Sequence, residues 1–263
     1  VTTMRLAHPA YGQLRAVTDT ASVLLCDNPG LLTLEGTNTW ILRASGSDEF
    51  VVVDPGPDDA AHIERIAALG KVALVLISHR HGDHTDGIDK LVDLTGATVR
   101  SVGSGFLRGL GGPLTDGEVI EAAGLRITVL ATPGHTADSV SFLLDDAVLT
   151  ADTVLGRGTT VIDDEDGSLR DYLESLRRLA GLGARTVLPG HGPDLPDIRD
   201  VAAMYLAHRQ ERLDQVRDAL RELGADAGAR RIVEHVYTDV DEKLWDAAEK
   251  SVQAQLDYLM SID

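Results

Sequence analysis

Short apolar runs alternate along the chain with longer stretches in which apolar residues recur every third or fourth position. "FVVVD" (50–54), "VALVLI" (72–77), "LRITVLA" (125–131), "SVSFLL" (139–144), "AVLTA" (147–151) and "RTVLP" (185–189) read as strands. Most are continuously apolar, as strands covered on both faces are. Between them, "DDAAHIERIAALG" (58–70), "TDGIDKLVDLTG" (85–96) and "SLRDYLESLRRLAGLG" (168–183) carry helical spacing, with glycine at their ends as a stop signal. After "PDLP" (193–196) the pattern turns helical and charged. The alternation predicts an α/β domain over residues 1–196 and a small, mainly helical domain over 197–263.

Composition narrows the setting. With 263 residues, 43% of them apolar, the chain can bury a proper core. No apolar stretch approaches the roughly 20 residues that span a bilayer, and "VTTMRLAHPAYG" at the start has no apolar signal region. Cys26 is the single cysteine, which excludes an intrachain disulfide and suits a reducing compartment, so a cytoplasmic location is expected. A net charge of −18 disfavours unaided binding to membranes and nucleic acids. No feature fixes the oligomeric state.

The chemistry concentrates in "ISHRHGDHTDG" (77–87), which places His79, His81, Asp83 and His84 just after an apolar strand. Imidazole and carboxylate are the usual ligands of zinc and related metals. Three further candidates stand at the exits of other strands: His135 in "TPGHT", Asp152 in "TADT" and His191 in "PGHG". Strand exits of an α/β sandwich share one edge, so these loops can converge. The cluster uses five of the nine histidines. His8, His62 and His235 are expected at the surface, and His208 and Arg209 are expected to cap or pair at the interface between the domains. "GFLRGLGGP" (105–113) has the glycine content of a mobile loop and no P-loop spacing.

As an ordered set, Asp54 in "VVDPG", the "HRHGDH" block, His135, Asp152 and His191 resemble the metallo-beta-lactamase superfamily over about residues 20–195. The resemblance implies an αββα sandwich with two metal ions at one edge of the sheets. His79, His81 and His135 would hold one ion, and Asp83, His84 and His191 the other, with Asp152 bridging. Asp54 would buttress the site without touching metal. Two zinc ions are implied, manganese and iron being compatible with the same ligand types. The implied reaction is hydrolysis by a metal-bridging hydroxide, with Asp83 orienting the nucleophile and accepting its proton.

A narrower resemblance covers nearly the whole chain. "GTNTWIL" (36–42), "ADTVLGRGTTVI" (151–162), "YLAHRQERLDQV" (205–216) and "VYTDVDEKLWDAAEKSVQAQL" (236–256) are similar to beta-lactamase-like proteins typified by a mitochondrial endoribonuclease, whose tail forms a winged-helix-like domain. That implies cleavage of single-stranded RNA or another phosphodiester. The alternative is a small ester or thioester substrate, as for glyoxalase II, and a non-catalytic binding protein is the third reading. Against RNA, acidic residues outnumber basic ones from 224 to 263, so the tail presents no phosphate-binding face and is expected instead to cover the sandwich and shape a cleft. Arg157, Thr159 and Thr160, just beyond Asp152, are the expected substrate contacts, with Arg108 a further source of positive charge.

Overall fold

The computed structural model describes residues 6–238 and 241–261. The first sheet contains β1 (Arg15–Ala16), β2 (Ala21–Leu25), β3 (Asn38–Leu42), β4 (Glu49–Val53), β5 (Lys71–Leu76) and β6 (Val99–Arg100), hydrogen-bonded in that order. Helix α1 (Ala60–Ala68) connects β4 to β5, while α2 (Gly82–Thr85) and α3 (Ile88–Thr95) connect β5 to β6. The second sheet contains β7 (Val119–Ala122), β8 (Leu125–Ala131), β9 (Val140–Leu143), β10 (Ala147–Ala151) and β11 (Thr186–Pro189), with α4 (Leu169–Ala180) between the last two. Three helices follow: α5 (Ile198–Leu223), α6 (Ala229–Val236) and α7 (Trp245–Met260).

The strand period of two explains the layers. Along β4, Val51 and Val53 point into the core between the sheets, against Ile127, Val129, Phe142 and Leu149. Phe50 and Val52 point the other way, against Ile63 and Ile66 of α1 and Leu91 of α3. Both faces are covered, which is why β4 reads as an unbroken apolar run. The outer face of the second sheet meets α4 and α5 in a third cluster that continues without interruption to Ile232 of α6 and Val252 of α7. The helical tail therefore shares its core with the sandwich. The αββα sandwich with a helical C-terminal region is the fold expected from the sequence.

Two details differ from that expectation. The helix expected over 85–96 begins only at Ile88, after a separate short helix over 82–85, because the amide of Gly87 donates to Gly56 O, 2.9 Å away, and a Cβ at Gly87 would lie 2.5 Å from Ile63 Cδ1. The chain pivots there, against α1. His62 is also not a surface residue: it is 2% exposed, on the inner face of α1.

Strand direction sets the site's position. β4 and β5 run parallel, as do β10 and β11; β8 and β10 are each antiparallel to β9 and so share a direction. Their C-terminal ends meet along one edge, where Val140 N donates to Ser78 O (2.9 Å) and Asn38 N to Gly190 O (2.8 Å), stitching the sheets together. No helix among the described residues is long and apolar enough to cross a membrane.

Candidate metal centre

Each strand that ends at this edge delivers one part of a compact cluster. β5 is followed by Ser78, His79 and His81, and α2 carries Asp83 and His84. The turn after β8 brings His135, β10 ends one residue before Asp152, and β11 ends two before His191. Three groups result, each with its ligand atoms within 4.8 Å of one another: His79, His81 and His135; His79, His84 and Asp152; Asp83, His84 and His191. All seven residues expected from the sequence are thus brought together. Each of these groups could hold a metal ion. His8, His62, His208 and His235 belong to none of them.

Asp152 lies between the triads. Its Oδ2 is 3.4 Å from His191 Nε2 and 3.8 Å from His135 Nε2, and its Oδ1 is 3.5 Å from His84 Nε2. That Oδ1 is buried with no hydrogen-bond partner among the described residues. Asp83 Oδ2 is 3.2 Å from His191 Nε2 and 3.6 Å from His84 Nε2. Its side chain keeps 28% of its surface exposed against 13% for Asp152, so Asp83 faces the opening.

The outward-facing nitrogens decide the tautomers. His84 Nδ1 is 2.9 Å from Asp54 Oδ2, His81 Nε2 is 2.8 Å from Asp163 Oδ2, and His135 Nδ1 is 2.6 Å from Val161 O. His191 Nδ1 is 3.0 Å from Gly36 O. Each acceptor is an oxygen with no proton to give, so each of these nitrogens is the N–H donor. Ser78 Oγ donates to Asp54 Oδ2 (2.6 Å) and so accepts from His79 Nδ1 (2.9 Å). The five inner nitrogens therefore face one another, each offering a lone pair wherever its ring is neutral. His79 Nε2 and His135 Nε2 each lie 3.0 Å from His81 Nδ1, and His84 Nε2 lies 3.3 Å from His191 Nε2. Ring nitrogens facing at this range, beside an orphaned carboxylate oxygen, call for positive charge between them, which metal ions supply in place of protons. The donor set fits a pair of divalent metal ions.

Electrostatics agree. Burial works against charging His191, yet the carboxylates of Asp152 and Asp83 draw its pKa well above the usual imidazole range. Burial, with His84 next in weight, holds His79 far below that range, so it stays a neutral donor. The carboxylate half of the cluster demands positive charge, and the imidazole half supplies lone pairs.

The surrounding chain is shaped to this geometry. Asp54 (φ 55°) and Ala151 (φ 44°) hold left-handed backbone at two strand exits, a strained arrangement that recurs at functional sites. Asp54 is buried, and it accepts from Ser78 N (2.8 Å) as well as from the Ser78 hydroxyl and His84. At Gly190 a Cβ would stand 2.4 Å from Asp152 Oδ1, so only glycine leaves room. Asp163 is the residue sequence reasoning missed. It lies in "DDED" (163–166), which reads as a solvated acidic loop, yet it orients His81 while Arg80 pairs with it at 2.9 Å.

The expected substrate contacts take varied places. Arg157 is half exposed and pairs with Glu35. Thr159 is exposed, whereas Thr160 is buried and its hydroxyl donates to Asp152 O (2.8 Å). Arg108 pairs with Asp89 at 2.6 Å, within the glycine-rich stretch 105–113. Arg209, 3% exposed, donates to Thr160 O, at the interface where it was expected. Asp239 and Val240, inside the tail motif quoted above, lie outside the described residues.

Comparison with known proteins places this geometry. The model of the metallo-beta-lactamase superfamily matches residues 32–191, and that of the beta-lactamase associated winged helix domain matches 229–261. The chain is 32% identical over 240 residues to the lactamase-like protein adaB of Aspergillus niger, covering 85% of this chain and 72% of that one. It is 30% identical over 241 residues to the beta-lactamase-like protein 2 homolog of Caenorhabditis elegans, covering 86% and 79%. An atrochrysone carboxyl ACP thioesterase of Aspergillus fumigatus is 33% identical over 215 residues, covering 76% and 64%. A beta-lactamase domain protein from Burkholderia ambifaria has the same fold, with a TM-score of 0.81 at 22% identity over 97% of this chain and 90% of that one. With this fold and this His/Asp cluster, the chain belongs to the metallo-beta-lactamase superfamily of hydrolases and carries the associated winged-helix domain towards its C-terminus.

Proposed function

We propose that the protein is a dinuclear metal-dependent hydrolase of acyl esters or thioesters, with zinc as its ion. The observation that carries the reading is the convergence of five imidazole lone pairs and two carboxylates at one sheet edge. In this reading His79, His81 and His135 hold one ion, Asp83, His84 and His191 the other, and Asp152 reaches both. A bound pair of divalent ions supplies an acidified water and a Lewis acid for the attacked carbonyl. The protein's own groups do the rest. Ser78, Asp54, Asp163, Val161 and Gly36 fix each ring through its outer N–H, so that the donors do not reorganise during reaction. Asp83, at the opening, orients the nucleophile and takes its proton at Oδ2.

The choice of substrate class rests on charge and kinship. Asp163, Asp164, Glu165 and Asp166 stand in one loop beside His81, and two cations neutralise only part of that charge: Arg80 pairs with three of them and Lys250 with Asp164. A loop of this sign repels a polyphosphate chain and tolerates a neutral carbonyl. The similarity to a fungal thioesterase supports the same class. Cleavage of single-stranded RNA is the second reading, favoured by the match of residues 229–261 to a winged-helix family. A panel comparing acyl thioesters, end-labelled single-stranded RNA and nitrocefin, each with a chelated control, separates these readings. Chelator-sensitive thioester turnover is expected; RNA cleavage without thioester turnover would replace the reading.

A further inference from the structure

Where the sandwich meets the tail, residues 159–161 form one wall of a cavity of about 200 Å³ whose opposite walls come from α5, the start of α7 and Tyr237. Its polar lining is cationic. Arg209 and Arg212 enter from α5 on one helix face, together with His208, which burial and the two neighbouring guanidiniums keep neutral, and no Asp or Glu is among the lining residues described. This is unusual for a chain with 42 acidic and 24 basic residues. The neighbouring cavity, of about 300 Å³ between α4 and α7, mixes both signs, with Asp163, Asp164 and Asp257 facing Arg170 and Lys250.

The cations here are incompletely satisfied. Arg209 is 3% exposed and has no carboxylate partner among the described residues. Its guanidinium donates to Thr160 O and stacks over the Tyr172 ring, 5.0 Å from the centroid, but its Nε has no acceptor. Arg212 lies over the Tyr237 ring at 4.5 Å and, among the described residues, donates to the neutral Gln215 Oε1 at 2.9 Å and to no carboxylate. The buried Nδ1 of His208 is likewise without a partner. Removing a guanidinium from water without a counter-charge costs several kcal/mol, so a fold that buries Arg209 in this way, with the partly exposed Arg212 beside it, is prepared for an anion. Arg presents the planar fork that matches phosphate oxygens, and Ser251 and Thr159 add hydroxyls to the lining. The volume is below the roughly 300–1,000 Å³ of a drug-sized ligand site, so it suits one small group.

We propose that this seam is a phosphate-binding site, filled by free phosphate or by the phosphate end of a larger ester, and distinct from the metal centre. Its position gives it leverage. The wall that faces the cavity also supports the metal ligands, since Thr160 Oγ1 donates to Asp152 O (2.8 Å) and Val161 O accepts from His135 Nδ1 (2.6 Å). An anion drawn to Arg209 therefore braces the segment that orients both residues.

The test is calorimetric titration of the metal-loaded full chain with inorganic phosphate at matched ionic strength, in wild type, Arg212→Gln and Arg209→Lys. Phosphate bound at the metals is common to all three, so the difference isolates the seam. The expected result is at least tenfold weaker binding at the seam in Arg212→Gln, with a phosphate-dependent change in tryptophan fluorescence lost in parallel, because Trp245 follows the lining residue Leu244. Should Arg209→Lys fail to fold, Arg212→Gln, on a partly exposed side chain, still decides. Pantetheine 4′-phosphate is the second ligand. Tighter binding than free phosphate identifies the end of a larger molecule, and equal affinity identifies the free ion; either outcome supports the site. Binding identical in all three proteins, or none beyond the salt control, would overturn it.

Discussion

Asp163 Oδ2 lies 2.8 Å from His81 Nε2 and thereby turns His81 Nδ1 inward, 3.0 Å from the Nε2 atoms of both His79 and His135. A residue outside the metal-ligating groups thus fixes which nitrogen of His81 would meet a metal ion. Asp163→Ala should weaken metal affinity by about 10- to 100-fold, the usual cost of losing such a partner. Asp163→Asn, which keeps an oxygen acceptor but not the charge, should recover part of it. Competition against a chromophoric chelator measures both. Unchanged affinity in the alanine variant would show that His81 is oriented by something else.

Gly190 should tolerate no side chain. A Cβ there would stand 2.4 Å from Asp152 Oδ1 and 2.9 Å from His84 Cε1, pressing apart two residues of the cluster. Displacements of about 1 Å in a catalytic constellation cost on the order of 100-fold in rate. Gly190→Ala should therefore lose at least that much turnover while keeping wild-type circular dichroism. Full activity in the folded variant would mean that Asp152 has freedom the structure does not show.

The cluster was legible because its residues stand at strand exits, where position alone implies convergence. Asp163 was not, since an acidic loop looks solvated until its one inward carboxylate is placed against His81. The strands of the second sheet from β8 onward were readable as apolar runs, but β2 ("ASVLL") and β3 ("NTWIL") were not distinguished from loop. Both are short, and β3 carries polar residues that the fold buries by pairing: Asn38 is 1% exposed and donates to Pro189 O and Gly192 O. His62 misled for a related reason. It sits among acidic residues on an amphipathic helix, and only tertiary packing reveals that its face meets Thr39, 2.8 Å away.

That burial makes His62 a source of acid sensitivity. Desolvation holds its pKa at about 4, with Asp59 pulling it up and Arg65 pushing it down, against 6.5 for a free imidazole. Thr39 Oγ1 donates to Asp54 O and so accepts from His62 Nε2, leaving a buried Nδ1 that would gain an unpartnered proton. Between these pH values the unfolded chain holds a proton that the folded chain refuses, so stability is lost as pH falls from about 6.5 towards 4. The full loss is roughly 3 kcal/mol. His62→Gln should flatten that part of the profile, read as the difference between wild-type and variant urea midpoints at pH 7.5 and 5. Parallel profiles would contradict the assignment.

Seven side chains would form one site for two metal ions, with Asp152 common to both. Titration of zinc into chelator-stripped protein, followed by elemental analysis after dialysis, tests it most directly. The wild type should retain two equivalents per chain, and Asp152→Ala should lose occupancy at both positions because its carboxylate reaches His191, His84 and His135 alike. One equivalent or none in the wild type, or two undiminished in Asp152→Ala, would contradict the account.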